Sequence, residues 1–362
     1  MGPRHETERM PTVNFPALEQ FICEIFEAKE VPSEVAKIVA ESLVLGNLRG
    51  HDSHGVIRVS QYVEWLDLGW IQPAEKLEVV RDHGPILIVD GHYQFGQVIG
   101  RQATGLAITK AKAEGVCVLT IRRSAHLGRM GEFMEQAAAA GVVAFTLTNT
   151  HGGGVLQAAH GGYEPRLSAN PLAAGAPLPD GRAITMDFAT SITAEGKVKL
   201  ALARNEQLPE GYLVDGHGQP TTDPATYYAE PKGAILPVAA HKGYALAVFA
   251  DILAGAVGGG SCSHANLDQV ANGWFAVFVD PAAFSGQDFY DDQVGRLADW
   301  LKASKPRAGF QEVLLPGEPE ERTQADREAR GIPIETDTWS TLENLAIALG
   351  VTPPDSGAHD KN

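Results

Sequence analysis

The chain has 362 residues, 44% of them hydrophobic, and carries 29 Lys and Arg against 45 Asp and Glu, a formal net charge of −16. This supports a large core divided over two packed domains, and it lacks the basic footprint of a nucleic-acid binder. The longest apolar run, 244–257, contains Asp251 and is too short to cross a bilayer. The polar, charged start does not read as a signal peptide, so the expectation is a cytoplasmic protein with no membrane partner. Cys23, Cys117 and Cys262 are widely spaced and odd in number, and read as free thiols.

Taken in order, residues 1–12 read as a loose leader and 353–362 as a polar tail. Between them, apolar spacing predicts helices over 15–28, 33–48 and 54–68. Two β-rich runs flanking Asp82-His83-Gly84-Pro85 predict a hairpin over 77–90. Elements then alternate: a helix over 97–114 and a strand over 116–121, a helix over 128–140 and a strand over 142–148. Residues 150–179, rich in Gly, Ala and Pro, read as the longest irregular segment, of the kind that serves as a functional loop or lid. A strand over 184–188, a helix over 194–204 and a turn-dense stretch over 211–224 follow. The helix predicted for 241–257 is apolar nearly all round, which implies burial. A strand over 275–279 and helices over 293–302, 318–330 and 338–349 complete the chain. The pattern is that of an α/β fold: a mainly helical domain built from both ends, 13–80 with 290–352, and an α/β domain over 81–289.

The stretch 49–62, RGHDSHGVIRVSQY, carries the densest chemistry. If it runs into a helix, His54, Arg58 and Tyr62 stack along one face. An imidazole, a fixed cation and a phenol then suit holding a small carboxylate and moving a proton beside it. The plain alternative is a solvated helix face. His51 and His54 flank Asp52, but the spacing fits no dedicated zinc pattern and neither HExxH nor paired CxxC occurs, so no metal is assigned. A metal-dependent hydrolase or lyase using His51, His54 and His126 is the out-of-class alternative.

Four further places stand out. His126, in SAHLG, lies between a strand and a helix, where ligands gather in α/β folds. Asp187 sits inside an apolar strand and needs a partner: a backbone N–H or an Arg if structural, a catalytic His if functional. His241 and Lys242 open an apolar helix, cations set against its dipole that a bound anion would offset. Gly317 and Glu318 turn into a helix, where backbone can approach a ligand. No G-x-G-x-x-G follows a strand: Gly91, Gly96 and Gly100 are wrongly spaced, and Gly152-Gly153-Gly154 leads into no helix.

Seven motifs occur in order: DSHGVIR, AHLG, TNT, SANPLAAGAP, MDFATS, LPVAAHKGY and LLPGEPE. Together they resemble the malate/L-lactate dehydrogenase family, which lacks a Rossmann domain, from about residue 13 to residue 350. The resemblance implies a non-Rossmann, mixed-sheet cofactor domain beside the helical one, and a homodimer. It implies hydride transfer between NAD, with NADP as the other option, and a small 2-oxo/2-hydroxy acid. A reductase of cyclic imino acids, of the Δ1-piperideine-2-carboxylate type, is the alternative on the same fold.

By the same resemblance His54 is the proton donor, with Ser53 and Asp187 as its relay partners. Arg58 is the clamp for the substrate carboxylate, with Tyr62 beside it. His126 contacts substrate and coenzyme, and in some relatives takes the acid/base role. Coenzyme contacts fall on Asp187, Phe188, Ala189, Thr190, Ser191 and Ile192, on His241 and Lys242, and on Gly317, Glu318 and Pro319. Departures are Arg129 and Met130 after His126-Leu127-Gly128, where relatives often carry small residues, and Thr150 and His151 where ureidoglycolate-specific members have a Lys. Glu318, Glu320 and Glu321 crowd the last turn with only Arg322 to offset them, which disfavours a 2′-phosphate and favours NADH. A basic pair, Arg122 and Arg123, is the rival place for that phosphate.

Overall fold

The structure, a computed structural model, describes residues 10–152, 154–265 and 269–359. In their described parts, Met1–Ala74 and Glu318–Asn362 form one unit and Glu75–Gly317 the other. Gly153 of the triple-glycine run, the first nine residues and the last three lie outside the described residues.

In the first unit, helices span Phe15–Ala28 and Ser33–Leu48, the former with a proline in its first turn and the latter just after Pro32, where the missing N–H costs nothing. Leu18, Phe21, Ile22, Ile25 and Phe26 form a buried stripe on the first helix, each stabilising the fold by roughly 1.5–3 kcal/mol relative to exposure. Phe21 packs on Trp339 of helix Thr336–Leu349, ring centres 5.7 Å apart. The ends are not wholly loose. Met10–Val13 is the central strand of a three-stranded antiparallel sheet, with Ile332–Pro333 on one side and Gly357–His359 on the other. Strands of two to four residues carry no periodicity; backbone pairing defines them.

In the second unit a seven-stranded sheet runs in the order Glu78–His83, Ile86–Asp90, Val116–Ser124, Ala271–Val279, Val143–His151, Leu172–Pro177, Ala183–Phe188. One neighbouring pair, Ile86–Asp90 with Val116–Ser124, is parallel, joined through helix Gly96–Glu114; the other pairs are antiparallel. This is a mixed sheet, not the parallel sheet of a doubly wound fold. Helices Gly96–Glu114 and Gly131–Ala139 cover it through Ile99, Phe133 and Trp274. A Cβ at Gly100 would stand 2.3 Å from the Phe133 ring, so this approach requires glycine. A smaller five-stranded sheet contains Gln157–Ala158, Pro165–Leu167, Leu213–Val214, Pro220–Thr221 and Ala234–Ile235.

Several expectations change. Residues 150–179 hold three strands, because pairing with neighbours orders a Gly/Ala-rich run that has no apolar alternation of its own. Residues 290–317 belong to the second unit: Tyr290 Oη donates to Pro177 O, and Val294, Ala298 and Leu315 pack on Leu178. Helix His241–Ala250 continues as a π-helical turn, Asp251–Val257, and is not buried all round: Leu246, Phe249, Ile252 and Val257 are 39–60% exposed. A helix apolar on every side carries no direction of burial in its sequence. Cys117 is buried, and burial pushes its thiol up to about 12.

Candidate active site

The SHG segment is not the start of a helix. Two short 3₁₀ turns, Asp52–His54 and Val56–Arg58, precede helix Val59–Asp67 and meet at an extended Gly55. His54, Arg58 and Tyr62 therefore do not share one helical face. Asn47 is the cause: its Oδ1 accepts the Val56 N–H at 2.8 Å, while its Nδ2 donates to Asp52 Oδ1 at 2.7 Å. A Cβ at Gly55 would lie 2.2 Å from Asn47 Oδ1, so the turn closes only over glycine. Tyr62 is 1% exposed and stacks on Trp65, which makes it core.

The same turn brings the other polar groups together. Ser53 Oγ is 3.0 Å from His54 Nδ1. Arg58 Nε donates to Ser53 O at 2.7 Å and its Nη1 to Gln61 Oε1 at 2.9 Å. Both acceptors are neutral, and among the described residues Arg58 forms no ion pair with a carboxylate. From helix Glu318–Arg330, Arg327 forks onto Asp52 at 2.6 and 3.0 Å and also donates to Asn47 O. Glu320 of that helix lies 3.6 Å from His51 Nε2. Sequence reasoning passed over Asn47, Gln61 and Arg327. The Asn47–Asp52 pair is local, five positions apart across the helix end that Gly50 marks; Arg327, 275 positions from Asp52, left no signal.

In the second unit the His126 loop leaves strand Val116–Ser124 and precedes helix Gly131–Ala139, which starts later than the sequence suggests. Ala125 N donates to Gln94 O at 3.1 Å. Leu127 N donates to Asn272 Oδ1 at 2.8 Å, and Asn272 Nδ2 donates to Asn149 O and Thr150 Oγ1. A Cβ at Gly96 would stand 2.4 Å from His126 O and 2.5 Å from Leu127 Cα. Asp187 accepts the Gly131 N–H at 2.7 Å, a backbone partner of the kind the sequence offers it. Arg129, 3% exposed, forks onto Glu135 at 2.6 and 3.0 Å, and a Cβ at Gly131 would meet its guanidinium at 2.6 Å. Arg129 thus packs beside the very glycine that holds Asp187.

The segments expected to meet a coenzyme gather around strand Ala183–Phe188, an edge of the large sheet. Val238 N donates to Thr190 O, Ile192 N to Leu236 O, and Ser191 bridges Pro237. A Cβ at Gly243 would touch Val238 O at 2.1 Å, which seats the His241–Lys242 helix start on this segment. Thr185 N donates to Pro316 O, bringing Gly317, at φ +98, beside the same strand. Phe188 is 40% exposed next to Ala189, and His241 and Lys242 are exposed; Lys242 forms no ion pair among the described residues. An edge strand with an open aromatic ring and an unneutralised ammonium fits a nicotinamide dinucleotide, whose ring and phosphates need such partners. Glu318 and Pro319 open a helix of the other unit. Arg122 and Arg123 both bind the fully buried Asp90; burial raises that carboxyl, but bonds from Arg123, the His92 N–H and Arg122 hold it below its ordinary value. Among the described residues no group of three or more His, Cys, Asp or Glu is arranged to hold a metal, and no helix is long and apolar enough to cross a membrane.

The first unit thus sets a half-buried imidazole, His54, near an arginine, Arg58, that no carboxylate among the described residues neutralises. The chain matches the malate/L-lactate dehydrogenase profile over residues 13–343, and it belongs to that family. It is 36% identical to the L-lactate dehydrogenase of Cupriavidus necator over 346 residues, 94% of this chain and 99% of that one. Its fold is similar to a putative malate/lactate dehydrogenase from Escherichia coli, with TM-score 0.89 and 34% identity over 94% of this chain and 96% of that one. It is also similar to Δ1-piperideine-2-carboxylate reductase from Pseudomonas syringae, with TM-score 0.80 and 31% identity over 92% and 99%.

Proposed function

We propose that this dehydrogenase reduces the carbonyl of a small 2-oxo acid to the 2-hydroxy acid, reversibly, with NADH. The observation that carries the reading is Arg58: held by Ser53 O and Gln61 Oε1 beside His54, it keeps its charge for a substrate carboxylate. The coenzyme supplies the hydride that adds to C2. Arg58 takes the carboxylate and fixes the face presented. His54 donates its proton to the oxygen as the C=O π pair becomes an alkoxide, and the reverse reaction returns that proton to the imidazole. Ser53 orients the ring through Nδ1. His126 hydrogen-bonds the developing oxyanion or shares the proton role, and Asp187 is the acidic member of the set. Residues 187–192, His241, Lys242 and the turn at Gly317, Glu318 and Pro319 hold the coenzyme. Arg122 and Arg123 share Asp90, which offsets part of their charge and so favours NADH over NADPH, whose 2′-phosphate asks for a free guanidinium.

The likeness to a piperideine-carboxylate reductase favours one second reading, hydride transfer to a C=N bond with the same carboxylate clamp. The apolar face of helix 241–257 supports a homodimer, because a second copy would cover it. Pyruvate, oxaloacetate and a cyclic imino acid, each assayed with NADH and NADPH by absorbance, test the reading. Turnover of the imine alone would replace the first reading with the second, and a tenfold preference for NADPH would overturn the coenzyme assignment.

A further inference from the structure

We infer that Arg327, acting through Asp52 and Asn47, is a positioning residue for His54. The inference rests on the proton role proposed for that imidazole. One face of helix Glu318–Arg330 is spent on residues 47–52. Glu320 approaches His51, and the Thr323 methyl lies 3.2 Å from where a Cβ at Gly50 would be. One turn further on, Arg327 forks onto Asp52 and reaches Asn47 O. Asp52 is the first residue of the three-residue turn that ends at His54, and Asn47 fixes the next turn through Val56 N. A Cβ at Gly46 would stand 2.9 Å from His54 O, so the backbone of His54 already rests on its floor. The remaining freedom is rotation of the Asp52–His54 turn, and the Arg327 fork restrains it.

The clamp suits orientation better than stability. The Asp52 side chain is 51% exposed, and half-exposed ion pairs contribute little to folding. A planar fork on two carboxylate oxygens nevertheless fixes direction, which a point charge does not. The helix bearing Arg327 begins at Glu318, one residue after the Gly317 backbone proposed to meet the coenzyme. The ordering of a hydride donor and the aiming of a proton donor therefore sit on consecutive stretches of chain.

The test uses the full-length enzyme with NADH and either pyruvate or oxaloacetate, whichever it turns over. Arg327→Ala is expected to lower kcat about ten- to hundredfold, as small misplacements of reacting groups do, with the NADH dissociation constant and Tm close to the parent's. Arg327 itself lines a groove of about 420 Å³, with Arg322, Thr323, Asp326, Gly331 and Pro333, so its removal should admit added guanidinium ion and restore part of kcat. Arg327→Lys should fall between the two. A kcat within twofold of the parent, or a loss that guanidinium does not relieve, overturns the inference. Should Arg327→Ala fail to fold, Asp52→Asn decides: it keeps the shape and drops the fork, and an unchanged kcat overturns the inference. His54→Ala separates the two levels. An active His54→Ala removes the proton role itself, whereas an inactive one beside a fully active Arg327→Ala removes only the positioning.

Discussion

The two histidine-bearing segments are held in opposite ways. The turn at His54 is tied by side chains that cross its surface: Asn47, Asp52 and Arg327, with a half-exposed ion pair among them. The loop at His126 is fixed by close backbone approach and neutral amides, with Gly96 beneath it and the fully enclosed Asn272 beside it. A surface ionic clamp gives direction. A packed backbone gives a fixed place. The first suits a group that moves a proton, the second a group that marks a position.

The sharpest way to break this comparison is to remove each imidazole. His54→Ala should lower kcat by roughly two to four powers of ten, and His126→Ala by less. The reverse ranking in steady-state assays would make the packed loop the proton donor. Next in size is Arg58→Lys, which keeps the charge and loses the fork. A large fall in kcat/KM with unchanged NADH binding is expected, and an equal loss of coenzyme affinity would assign Arg58 elsewhere.

Gly96→Ala comes third. Its methyl meets backbone rather than a movable side chain, so unfolding free energy should drop by about 1–3 kcal/mol, and His126 should shift with it. Gly55→Ala meets the Asn47 amide instead and should cost activity more than Tm. Equal Tm losses at the two glycines would erase the distinction between a packed loop and a clamped turn.

The smallest effect concerns acid. His151 ends the strand whose Asn149 and Thr150 anchor Asn272, and its Nδ1 is buried with no hydrogen-bond partner among the described residues. Burial lowers its pKa below the ordinary 6.5, against the opposing pull of Asp251. The unfolded chain therefore takes up this proton as pH falls below about 6.5 while the folded chain resists it, and stability is lost in that window. The urea midpoint of the parent should fall more between pH 7.5 and pH 5.5 than that of His151→Gln. Parallel declines would remove the scaffold's acid sensitivity from the account.

Much of this was legible in the chain, and the failures have physical causes. Helices 15–28, 33–48 and 318–330 fall where expected because Pro16, Pro32, Gly50 and Gly331 punctuate them. The helix expected from His54 begins at Val59 because one side chain, Asn47, captures the Val56 N–H. Strand ends such as Arg122-Arg123-Ser124 and Asn149-Thr150-His151 are polar, and pairing with Ala271–Val279, and at Arg122 with Asp90, extends the ladder that far. His54, Arg58 and Ser53 were visible as a set. Their geometry was not: Asn47 sets the turn, and Asp52 beside them is forked by a residue 275 positions away.

That distance bears on how the protein is made. The central strand Met10–Val13 has both of its partners, Ile332–Pro333 and Gly357–His359, at the far end of the chain. About 240 residues of the other unit separate them. At translation rates of roughly 5–20 residues per second, the first helices leave the ribosome roughly 15 to 60 s before the strands that complete this sheet. Glu75–Gly317 can finish its own sheets in that interval. The apolar stripe from Leu18 to Phe26 meanwhile has no Trp339 to meet, so the nascent amino-terminal segment carries apolar surface whose partner is yet to be made.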